Sequence, residues 1–132
     1  MNAQDLINRT RTVTITVDEE DLAMAVGSGD LPVLATPRMA ALMEEAAAAL
    51  AAECLEDGIT TVGTRLSISH TAPTLVGATV SAEATLKETD GRLFTFAVRA
   101  YDNVGDIGIG THDRVSVKSD RFLEKAASRA AQ

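Results

Sequence analysis

Helical spacing and strict alternation divide this chain into segments before any single residue is weighed. Residues 36–57, TPRMAALMEEAAAALAAECLED, read as one long helix. Thr36 suits the N-cap, Pro37 the first helical position, and Asp57-Gly58 a helix end. Roughly twenty residues at about 1.5 Å each make a rod about 30 Å long. Met39, Met43, Leu50 and Cys54 fall on one side of it, and Glu45, Glu53 and Glu56 form a looser polar stripe. Glu44 stands apart from that stripe. Its helical neighbours are Ala40, Ala48, Ala51 and Leu55, so the pattern places its carboxylate where burial is expected. The plainer reading of Glu44 is a solvated flank.

Alternation takes over outside the helix. Residues 11–17 (RTVTITV) predict a strand, residues 18–26 a brief helix, and the glycine- and proline-marked residues 27–34 a loop placed to lie over the start of the long helix. Four strand-like runs follow, at residues 62–72, 78–87, 93–101 and 107–117. In the first, Leu66, Ile68 and His70 share a face. In the second, Val80, Ala82, Ala84 and Leu86 do, and in the third Phe94, Phe96 and Val98. In the last, Ile107, Ile109, Val115 and Val117 have one parity, while His112 and Arg114 have the other, pointing to solvent or a partner subunit. Asp90-Gly91 is a hairpin signal, and residues 121–130 predict a short terminal helix.

Turns this short make the last four strands antiparallel. Each has one apolar face, and the long helix is the element of matching length for those faces to cover. The expected fold class is α+β: a hotdog fold, an antiparallel five-stranded sheet wrapped round a long central helix, in a single domain over residues 1–132. Such a sheet leaves free edges, and a second copy of the chain is the expected cover.

Composition narrows the function. A formal net charge of −7 argues against nucleic acid and anionic membrane surfaces as partners. Aromatic residues are 3% of the chain and tryptophan is absent, so stacking platforms for single strands are missing. The single cysteine, Cys54, excludes an intrachain disulfide and a cysteine-based zinc site, and its apolar face favours a buried inert thiol over a nucleophile. The N-terminus has no continuous apolar region to form a signal peptide, and no apolar run reaches membrane-spanning length, so a cytoplasmic protein is expected.

His70 is the most informative residue. A lone histidine on an apolar strand face is often only a satisfied core residue. Here the facing helix also carries Glu44, and a carboxylate and imidazole sharing a low-dielectric site form a general acid/base set. Two histidines without a Glu/His pair at helical spacing give weak support for a metal. Phosphate loops, dinucleotide fingerprints and nucleophile elbows are absent.

Several blocks together carry a family resemblance: Ala35-Thr36, Leu42-Met43-Glu44, Gly63-Thr64, Ser69-His70-Thr71-Ala72, Ile107-Gly108 and Gly110-Thr111-His112-Asp113-Arg114. With their spacings, over about residues 35–125, they resemble the fluoroacetyl-CoA-specific thioesterase-like branch of the hotdog acyl-CoA thioesterases. The resemblance implies catalytic roles for Thr36, Glu44 and His70. It implies close backbone access at Gly63 and support from Arg114, with His112 beside it. It also implies a homodimer with active sites at the subunit interface, an acyl-CoA substrate, and no metal or bound cofactor.

One departure stands out. The family's fluoroacetyl specialist closes its pocket with an aromatic residue shortly before the threonine, and residues 27–34 here contain none. There is also a geometric tension. Thr36 and Glu44 are eight residues apart, about 12 Å along a helix, and cannot touch within one chain unless Thr36 lies in a loop that folds back. The alternative is a group drawn from a partner chain. The alternative function is a non-catalytic acyl-CoA or small-molecule binding module on the same fold, which would need no acid/base set.

Overall fold

A computed structural model describes residues 1–131. Strand β1 (Thr10–Thr16) is followed by a 3-10 turn, the short helix α1 (Ala23–Val26) and the long helix α2 (Thr36–Ala52). Then come β2 (Ile59–His70), β3 (Thr79–Thr89), β4 (Leu93–Tyr101), β5 (Asp106–Lys118) and the terminal helix α3 (Ser119–Ala130). The five strands form one sheet in the order β1-β3-β4-β5-β2, and every neighbouring pair is antiparallel. The expected α+β hotdog architecture is present, with β1 and β2 as the two edges.

The core follows from the alternation. Val80, Ala82, Ala84 and Leu86 of β3 and Phe94, Phe96, Val98 and Ala100 of β4 are buried against Met39, Leu42, Met43, Ala46, Ala47 and Leu50 of α2. The register pairs Ala84 with Val98 and Leu86 with Phe96, so both strands turn the same parity towards the helix. Among the described residues no helix is long and apolar enough to cross a membrane.

Helix α2 differs from the sequence reading at both ends. Ala35 is the N-cap and Thr36 the first helical residue, so the Thr36 hydroxyl caps nothing. The helix stops at Ala52, short of Asp57. Beyond it the amides of Glu53, Cys54 and Leu55 bond carbonyls only three residues back, and the chain turns away at Gly58 with φ +83°. Glu53, Glu56 and Asp57 explain the early end, because acidic groups oppose the negative pole of a helix C-terminus. Cys54 is half-buried, donates its Sγ–H to the Ala51 carbonyl, and has its thiol pKa raised by burial.

Two features of β2 and β5 position the site. A bulge between Gly63 and Arg65 resets the parity of β2. Thr61 and Gly63 before it, and Leu66, Ile68 and His70 after it, therefore pair with Ser116, Arg114, His112, Gly110 and Gly108 of one β5 parity. That parity of β5 faces α2, which reverses the expectation for this strand except at Ile107, a buried core residue as expected. His112 and Arg114 are buried and Ile109 is 60% exposed. The register explains it: Phe94 stands opposite Arg114 and Phe96 opposite His112, so both polar residues share the phenylalanine face. A Cβ at Gly108 would lie 2.6 Å from Cε of Met39, which is why the helix can pass so close there.

Candidate active site

Two clusters of polar side chains lie along the inner face of β2. At the first turn of α2, Oγ1 of Thr36 is 2.7 Å from Nδ1 of His70, the last residue of β2. Being first in the helix instead of capping it leaves the Thr36 hydroxyl free for this bond. The other ring nitrogen of His70, Nε2, is buried and has no hydrogen-bond partner among the described residues. Burial pushes the His70 pKa below its ordinary 6.5, with the Ala72 backbone pulling weakly the other way. The neutral imidazole is therefore favoured, as a base needs. The pair borders a cavity of about 330 Å³ whose walls include Ser28, Val33 and Leu34, so the predicted loop does lie over the start of the helix.

The second cluster is built round Glu44, two turns further along α2. Its carboxylate Oε2 is 3.7 Å from Nη1 of Arg114. A Cβ on Gly63 would lie 2.7 Å from that oxygen and 3.1 Å from Cε1 of His112, so glycine is what admits the carboxylate. Arg114 is clamped by three bonds: Nε donates to Oγ1 of Thr61 at 2.9 Å, Nη2 to the Thr61 carbonyl at 3.0 Å, and Nη1 to Nε2 of His112 at 3.1 Å. His112 in turn donates from Nδ1 to the Arg65 carbonyl at 2.7 Å. A ring that donates from Nδ1 and accepts at Nε2 is the neutral tautomer. The 4.0 Å approach of His112 to Glu44 is accordingly no ion pair, and Arg114 is the cation that faces the carboxylate. Burial lowers the Arg114 pKa, and the charge of Glu44 opposes that.

Thr36 and His70 are thus brought together, and so are Glu44, Gly63, His112 and Arg114. Within one chain Glu44 and His70 are not. Glu44 also retains 42% of its side-chain surface, against the burial its helical neighbours suggested. Thr61, which holds two of the three Arg114 bonds, was not singled out from the sequence. Its inward parity, shared with Gly63, was the available signal. Among the described residues no three His, Cys, Asp or Glu side chains converge as a metal site would require.

Comparison with known proteins gives consistent matches. Residues 17–120 match the family model described as fluoroacetyl-CoA-specific thioesterase. A fluoroacetyl-CoA thioesterase from Streptantibioticus cattleyicolor is 40% identical over 93 residues, which cover 70% of this chain and 67% of that protein. A solved structure of a fluoroacetyl-CoA thioesterase superposes with a TM-score of 0.87 at 31% identity, over 92% of this chain and 95% of that one. A thioesterase-superfamily protein from Thermus thermophilus superposes with a TM-score of 0.84 at 25% identity, over 96% of both chains. A hot-dog-like protein from Thermanaerovibrio acidaminovorans, 21% identical with a TM-score of 0.86 over 98% of this chain and 97% of its own, shares the fold.

Proposed function

This chain belongs to the fluoroacetyl-CoA-specific thioesterase family, and we propose that it hydrolyses a small acyl-CoA at two sites built across a homodimer. The observation that carries the composite site is the separation of its two halves along one edge strand. Strand β2 lies at the sheet edge, with one side unpaired among the described residues. An antiparallel two-fold pairing of β2 with its own copy, centred between Leu66 and Ser67, sets His70 opposite Gly63 of the partner subunit. The same axis passing near Ala40 sets the first turn of α2 beside Glu44 of the partner subunit. Each site then joins Thr36 and His70 of one protomer to Glu44 of the partner subunit.

In such a site every group has work that its surroundings suit. Thr36, bonded to His70, positions and polarises the thioester. Glu44 of the partner subunit, which faces the Arg114 guanidinium at 3.7 Å within its own chain, attacks the carbonyl carbon or draws a proton from the attacking water. The positive end of α2 and backbone N–H groups near Gly63 stabilise the developing oxyanion. His70 serves as general acid/base, passing a proton to the departing sulfur. In the net reaction a C–S bond breaks, a C–O bond forms, and a proton from water ends on the coenzyme A thiol. No metal is assigned a step. A coenzyme A thioester as substrate also favours a cytoplasmic location.

The acyl group is small but not narrowly chosen. The loop over the cavity offers Ser28, Val33 and Leu34 and no aromatic side chain, so fluoroacetyl-CoA and acetyl-CoA should be hydrolysed with comparable kcat/KM.

Mixing two inactive variants tests the composite site. Glu44→Gln and His70→Ala subunits, combined and allowed to exchange, form mixed dimers in which one of two sites is intact. Random exchange should restore roughly a quarter of wild-type thiol release. Sites confined to single chains would give no restoration, since every chain carries one defect.

A further inference from the structure

Glu44 and Arg114 carry opposite charges and face one another, yet they stop short of a hydrogen bond. Nη1 of Arg114 is 3.7 Å from Oε2 of Glu44, where a charge-assisted N–H···O bond would measure about 2.7–2.9 Å. No side chain between them accounts for the gap. A Cβ built on Gly63 would lie 2.7 Å from Oε2 and 3.4 Å from Nη1, so both groups stand over a glycine that puts nothing in the way. The carboxylate keeps 42% of its side-chain surface and has room to move. The restraint is on the arginine. Its side chain is buried, and three of its N–H groups are spent away from Glu44. The Nε and Nη2 edge, which could grip a carboxylate in two parallel bonds, donates instead to Oγ1 of Thr61 at 2.9 Å and to the Thr61 carbonyl at 3.0 Å. Nη1 donates to Nε2 of His112 at 3.1 Å.

The strand register makes this clamp possible. Arg114 stands opposite Gly63 and Ser116 opposite Thr61, so Thr61 is the diagonal neighbour of Arg114, within reach of a long side chain. Thr61 is itself buried, so water offers little competition for the two bonds. We propose that Thr61 is a positioning residue for thioester hydrolysis: it holds the Arg114 guanidinium back, so that Glu44 feels its charge without being gripped by it. A carboxylate held in a two-bond ion pair turns its lone pairs to the arginine and is a poor nucleophile and a poor base. Standing at 3.7 Å, Glu44 keeps its lone pairs for the carbonyl carbon or the attacking water. That role rests on the reading of Glu44 as the attacking or proton-drawing group.

Thr61→Val is the direct test, because it removes the hydroxyl and keeps the β-branched shape that suits a strand. With Nε released, the guanidinium should close on Glu44, and a crystal structure of the variant should show an Arg114 nitrogen within about 3.2 Å of a Glu44 oxygen. The kcat for acetyl-CoA should fall by about tenfold or more while KM stays within about twofold, since the ground-state contacts of the thioester are untouched. Thr61→Ser, which restores the acceptor, should recover most of the rate. In an Arg114→Met background Thr61→Val should add no further loss, because no guanidinium is left to hold. Thr61→Ala carries the same readouts if the valine variant does not fold. An Arg114 side chain that stays in place in the variant would overturn the inference. So would an unchanged kcat, a rise in KM alone, or a Thr61→Val loss that persists undiminished without Arg114. A silent Glu44→Gln would instead overturn the reading of Glu44, and the catalytic role of Thr61 with it, while closure of the ion pair in the variant would still establish that Thr61 holds the two groups apart.

Discussion

The Thr36 hydroxyl lies 2.7 Å from Nδ1 of His70, which ties the first turn of α2 to the last residue of the edge strand β2. The bond exists because Ala35, not Thr36, is the N-cap. A capping hydroxyl would be committed to a backbone amide, whereas this one faces an imidazole at the cavity wall.

That difference separates two outcomes for Thr36→Ala. Loss of a cap would cost about 1 kcal/mol of stability. Loss of a catalytic hydroxyl should leave the unfolding midpoint nearly unchanged and lower kcat by about tenfold or more, with Thr36→Ser retaining most of the activity. Thermal unfolding and steady-state kinetics on the two variants decide between them.

The buried environment of His70 fixes the direction of two pH effects. Burial lowers its pKa below 6.5, so the neutral base persists to lower pH than an exposed histidine would allow. The acidic limb of kcat/KM should therefore have its inflection below pH 6.5. Stability changes in the same interval. Between the folded and unfolded pKa values the unfolded chain binds the extra proton, so stability falls as pH drops from about 6.5 through the folded pKa. His70→Gln should remove that component from unfolding curves measured across the interval. An inflection well above 6.5 would mean that His70 is not the titrating base.

Gly63 should prove indispensable to activity but not to folding. An added Cβ would meet the end of a flexible side chain, Oε2 of Glu44, at 2.7 Å. Glu44 can swing away, so Gly63→Ala should fold normally while its carboxylate leaves the catalytic position. A fall in kcat of about a hundredfold, with circular dichroism and unfolding temperature preserved, is the expected result. Unchanged kcat would show that the carboxylate need not approach the strand so closely.

Glu44 and His70 are visible in the sequence because each breaks a local pattern, whereas Thr36 fits an N-cap and only the family resemblance points to its chemistry. The long alternating runs of β3 and β4 likewise made the antiparallel sheet and its buried face plain. The phase of β5 was hidden. Ile107, Ile109, Val115 and Val117 look like a core face, but of these only Ile107 is buried in the core, and Gly108, His112 and Arg114 of the other parity are the residues turned towards the helix. Burial of that polar pair is possible only through the Thr61 and Arg65 bonds, and those partners lie some fifty residues away in the chain. The end of α2 was hidden for a different reason. Cys54 and Leu55 continue the apolar spacing, while the helix dipole and the acidic residues around them decide where it stops.

Glu44 and His70 should behave as one unit although neither touches the other within a chain. Each belongs to a different cluster, and the proposed two-fold unites them in a site shared between subunits. Groups that act in one step do not lose rate additively. Glu44→Gln and His70→Ala should each lower kcat by at least about a hundredfold, the usual minimum for a positioned acid or base. The double variant should be little worse than the poorer single. Glu45 is the control on the adjacent residue: it is exposed and in no ion pair among the described residues, and Glu45→Gln should leave kcat within about twofold. Strictly multiplicative losses in the double variant would mean that the two groups serve separate steps. A silent Glu44→Gln, with coenzyme A thioesters still bound, would favour the binding module over the hydrolase.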